Sequence, residues 1–90
     1  MTTEESKKPL PPVDFTSFIL SLAASAQIHL GLIPDPHLGK QEKNLDLAKQ
    51  TIDLLGLLQE KTKGNLNEEE LKVLEEIVSY LRVQFVEAKK

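Results

Sequence analysis

There is no cysteine in this chain and no tryptophan, and aromatic side chains make up only 4% of it. The missing thiols exclude disulfides and thiolate metal sites, leaving His29 and His37 as the only imidazoles. A thiol-free chain is compatible with a reducing cytoplasm. Aromatics this sparse do not build the stacking platforms that hold single-stranded nucleic acid. Positive charge is not in excess either: the net charge is -3, whereas broad neutralisation of phosphates needs a basic surface. Nucleic acid is therefore not expected as a partner.

A chain of 90 residues is read as one domain. Domains this small bury a modest share of their surface and usually rely on disulfides, metals or partner chains. With the first two gone, a homo-oligomer is expected, a dimer being the simplest case.

What is present is leucine-rich helical pattern. Residues 1–12, MTTEESKKPLPP, are polar and then proline-rich and are read with Val13 as a disordered tail; residues 14–90 are read as a single helical domain. Asp14 is placed to cap the first helix, FTSFILSLAASAQIHL, which Gly31 ends and Pro34 and Pro36 keep from continuing. No formal charge lies between Asp14 and Asp35. Phe15, Phe18, Ile19, Leu22, Ala23, Ala26 and Leu30 share one broad apolar face, while Ser17, Leu20, Ser21, Ala24 and Ile28 form a small, weakly polar back. The second helix is expected over residues 45–62, capped by Asn44, with Leu47, Ala48, Thr51, Ile52, Leu54, Leu55 and Leu58 inward. Gly56 falls mid-helix, at a cost of about 1 kcal/mol against alanine. The third helix is expected over residues 68–88, where Leu71, Leu74, Val78, Leu81, Phe85 and Ala88 form a short heptad seam.

The stretch KTKGNLNEEE at residues 61–70 superficially suggests a phosphate loop. That chemistry needs a preceding strand and a Gly-x-x-x-x-Gly-Lys-Ser/Thr spacing, and neither is there. Capping accounts for it instead. Lys61 and Lys63 face the negative end of one helix dipole. Gly64 supplies a left-handed C′ residue, and Asn67 with Glu70 makes a capping-box pair for the next helix.

No catalytic, cofactor or metal-binding set emerges. His29 has no His-x-x-x-His or Glu-x-x-His partner, so it reads as a hydrogen-bonded interior or interface histidine; an intersubunit enzyme site around it is a third-ranked reading. His37 with Asp35 offers two weak ligands on a loop, a poor cation site. Asp53 and Glu60 lie two turns apart on a wet face. Arg82, the one arginine, is suited to an interface ion pair. The uncharged run of residues 16–33 invites a membrane-span or signal-peptide reading, but serines, Gln27, His29, Gly31 and Pro34 interrupt it, and Glu4, Glu5 and Asp14 spoil a positive leader. Peripheral insertion of the first helix in a membrane is the alternative reading.

DFTSFILSLAASAQIHLG, IPDP, DLAKQTIDLLGLLQEKTKGNLNEEE and the closing LRVQFVEA together resemble a family of small bacterial proteins catalogued as domain of unknown function 1844. The resemblance covers residues 13–88, most specifically TIDLL and KTKGNL. It implies a bacterial, cytoplasmic helical protein and implies no activity, cofactor or catalytic residue.

The expectation is thus an all-α protein of three helices. The second and third form an antiparallel hairpin, and the apolar first helix packs across it. The expected function is a homo-oligomeric interaction module or accessory subunit, with an unidentified protein as a further partner. Phe15, Phe18, Ser21, Leu22, Ala24 and His29 of the first helix, with Leu81 and Phe85 of the third, are the candidate interface.

Overall fold

A computed structural model describes residues 13–90. The expected disordered tail lies outside the described residues, except for Val13, which is fully exposed. Three helices follow: α1 (Phe15–His29), α2 (Leu45–Lys61) and α3 (Glu68–Lys89). No strand occurs among the described residues; the loop after α1 holds one isolated bridge between Asp35 and Lys40. Every helix packs on the other two.

Each helix starts where a short polar side chain satisfies a free amide. Asp14 Oδ1 accepts from the Ser17 N–H at 2.7 Å, and Asn44 Oδ1 accepts from the Leu47 N–H at 3.1 Å. At α3 the exchange is reciprocal: Asn67 Oδ1 accepts from the Glu70 N–H at 2.8 Å, and Glu70 Oε1 accepts from the Asn67 N–H at 3.0 Å. Such caps hold ends that would otherwise strand backbone donors.

The helix ends differ. Past α1, Gly31 takes φ 78; its N–H donates to Ile28 at 3.0 Å and the Leu32 N–H donates to Gln27 at 2.9 Å, the paired bonds of a Schellman motif. Gln41 Nε2 then donates to the carbonyls of Gly31 and Leu32 at 3.1 Å each, and the Asn44 N–H donates to His29 O at 2.7 Å. These bonds tie the connecting loop back onto the end of α1. Past α2, Thr62 is the cap, so Gly64 is one residue beyond the expected C′ position. Its φ of 83 serves a β-turn closed by the Asn65 N–H donating to Thr62 O at 2.9 Å. The glycine is needed for its left-handed backbone, but in the turn rather than in the helix terminus.

Ile19 and Ala26 of α1 and Leu30 just past its end meet Ala48, Ile52 and Leu55 of α2 and Leu74, Val78 and Leu81 of α3 in one core. Burial of each large aliphatic side chain there contributes about 1.5–3 kcal/mol. Thr51 is the one buried polar side chain described, and its hydroxyl donates to Leu47 O at 3.0 Å. The inward stripes are narrower than the sequence suggests. Phe18, Leu47, Leu54 and Leu71 all remain exposed, because two neighbouring helices cover only part of each helix's circumference.

Candidate interaction surface

The hairpin has an identifiable flank. Arg82 of α3 lies over Gly56 of α2, its Nη2 3.0 Å from the point a β-carbon there would occupy. Lys49, Ile52 and Asp53 of α2 line the same groove with Arg82, Phe85 and Val86. This is the α3 side of α2. Helical spacing puts Leu47, Leu54 and Leu58 on the other side, toward α1. The Asn44 N–H donates to His29 O at 2.7 Å, so the end of α1 meets the start of α2; with the chain turning back there, helical spacing puts Phe18, Leu22 and His29 on the flank of α1 nearest α2.

The outer seam between α1 and α2 is consequently apolar from both helices. Phe18 is 48% exposed, Leu54 45% and Leu47 41%. Leu22 and Leu58 are partly buried against the core, and His29 is half-buried. The serines nearby add little polarity: Ser21 Oγ donates to Phe18 O at 2.8 Å and Ser17 Oγ donates to Asp14 Oδ2 at 3.1 Å. Covering this face would not orphan those hydroxyls.

Phe15, Phe18, Leu22 and His29 thus lie on or beside one seam. Ser21 sits at its outer edge, and helical spacing turns Ala24 away with exposed Leu20 to the back of α1. Leu81 is corrected: at 0% exposure it fills the core and cannot touch another chain. Phe85 belongs to the opposite groove, packs partly on the core and has the Lys89 ammonium 5.4 Å over its ring. Leu47 and Leu54 were the members the sequence concealed, since their spacing reads as inward. Only the contact of Arg82 with Gly56, visible in three dimensions, shows which flank of α2 is taken.

The remaining candidates stay apart. Asp35 Oδ1 accepts from the His37 N–H at 2.8 Å, an Asx-turn bond that uses the carboxylate in loop geometry. No group of three or more His, Cys, Asp or Glu side chains suited to a metal occurs among the described residues. The ion pairs described are Lys40–Glu42, Lys49–Asp53 and Lys90–Glu87. All are solvent-exposed and of the weakly stabilising kind. The Asp53 carboxylate hydrogen-bonds the Lys49 ammonium and raises its pKa above the usual 10.5. No helix among the described residues is long and apolar enough to cross a membrane.

These features define a small capped three-helix bundle with an apolar seam left open on one side. A model of a family described as a domain of unknown function, DUF1844, matches residues 12–87. The chain belongs to that family. No curated protein and no solved structure matches it.

Proposed function

We propose that the protein is a homo-oligomeric helical interaction module, an accessory subunit of a bacterial cytoplasmic assembly rather than an enzyme. The observation that carries this reading is the balance of apolar surface. Among the described residues, large apolar side chains are exposed more often than they are fully buried, and Phe18 and Leu20 of α1 and Leu47, Leu54 and Leu57 of α2 are among the exposed ones. Scattered exposed leucines are ordinary on soluble proteins; a contiguous patch marks an interaction site.

Size adds weight. A chain this short gains stability from a partner more readily than from enlarging its own core. Static light scattering over a dilution series in detergent-free buffer tests the reading. A mass of two or more chains that falls only on strong dilution is the expected result. One chain's mass at every concentration, with helicity intact, would refute self-association.

A further inference from the structure

We propose that the groove between α2 and α3 binds a molecule that carries one carboxylate on an apolar body. Arg82 takes the carboxylate, and Ile52, Phe85 and Val86 take the body. This site goes beyond the oligomeric reading and stands whether or not copies of the chain associate.

The charge balance singles out Arg82. Three charged side chains line the groove: Lys49, Asp53 and Arg82. Lys49 and Asp53 pair with each other at 2.8 Å. Lys89 stands over the Phe85 ring, 5.4 Å from its centre, and adds positive charge at the rim. Arg82 also borders an adjoining hollow that Glu60, Lys63 and Glu75 line. Despite these acids, Arg82 forms no ion pair among the described residues. The one arginine of the chain therefore faces the groove with its planar fork of donors open to a carboxylate, which it can hold through two parallel N–H···O bonds.

Gly56 fixes where that fork lies. Nη2 of Arg82 is 3.0 Å from the point a β-carbon on Gly56 would occupy. Any side chain there would push the guanidinium away from α2. A glycine is unfavourable in the middle of a helix, and at this position its bare backbone leaves room for the cation.

The lining sets the rest of the ligand. The groove encloses about 310 Å³, at the low end for small-molecule sites. Ile52 is buried at its base, Phe85 packs partly on the core, and Val86 is exposed. An apolar body laid on these side chains removes carbon from water. A single negative charge fits better than a dianion such as phosphate, because Asp53, Glu60 and Glu75 border the two hollows that Arg82 joins and repel added negative charge.

Titration of the isotope-labelled full chain, read by amide NMR shifts, tests the site. The probes are octanoate, a free acid, and N-acetyl-leucyl-leucine, a chain terminus, each compared with its own carboxamide. Saturable shifts centred on Ile52, Arg82, Phe85 and Val86 are expected with at least one acid, and the matching amide should bind about 10-fold more weakly or worse. The acid that binds more tightly names the source of the carboxylate. Arg82→Gln should also weaken acid binding by about 10-fold or more, with helicity unchanged because the side chain is exposed. Gly56→Ala should weaken it several-fold by displacing the guanidinium, while the melting temperature holds or rises; a glycine needed only for packing would lower the melting temperature instead. Equal binding of acid and amide, undiminished binding by Arg82→Gln, shifts centred on Leu47 and Leu54, or no saturable shift from either acid at millimolar concentration would overturn the proposal.

Discussion

The outer surfaces of α1 and α3 obey different rules although the two helices share one core. On α3, exposed positions carry Lys72, Glu75, Glu76 and Arg82 among Leu71, Tyr80, Val83 and Val86, so charge is interleaved with the carbon that faces water. On α1, the exposed positions are Ser17, Phe18, Leu20 and Ser21, and the serine hydroxyls bond back to Asp14 and to the helix itself. One helix sets charges among its exposed apolar side chains. The other satisfies its own polar groups and offers carbon outward. The difference teaches that a bundle can be complete as a fold and incomplete as a surface. Folding needs only the inward stripes, and the exposed carbon of α1 is left over from it.

The sharpest test of that distinction compares adjacent leucines of α2. Leu55 is fully buried and Leu54 is not. Leu55→Ala should destabilise the chain by about 2–5 kcal/mol, from lost burial and the cavity left behind. Under conditions that keep the protein monomeric, Leu54→Ala should cost under about 1 kcal/mol. Urea denaturation of both variants reads the contrast, and equal losses would erase the boundary drawn between core and seam.

A smaller effect belongs to the ends. Asn67→Ala removes one half of the reciprocal bonds at the start of α3 and should cost about 1 kcal/mol. Gly64→Ala should cost a similar amount, about 1 kcal/mol, through the strained left-handed backbone alone, since a β-carbon there would meet no atom within 4 Å. An unchanged melting temperature for Gly64→Ala would contradict the turn geometry.

The smallest effect is expected at Lys49. Its raised pKa means that whatever stability the Asp53 pair supplies is fully present below pH 10.5 and is lost as pH climbs through the higher folded-state value. Thermal melts of Lys49→Gln and wild type should therefore differ little at neutral pH, and still less in high salt, because both side chains are exposed.

Helix positions and their polar starts were legible in the sequence because they depend on neighbours within a few residues. Asp14, Asn44 and the Asn67–Glu70 pair need only local spacing to be read. Gly64 was legible as a left-handed residue but was displaced by one position, since helix-end register depends on which carbonyl the next amide chooses. The inward stripes were read too wide. Leu47 and Leu54 repeat with helical periodicity just as Ala48 and Leu55 do, and only tertiary placement separates seam from core. The same limit put Leu81 among interface residues: a heptad position is apolar whether it faces its own chain or another.

Isotope-filtered NMR on a mixed sample of labelled and unlabelled chains tests the central claim most directly. The account predicts contacts between exposed apolar side chains of different copies. None at any concentration, with the helices intact, would contradict it.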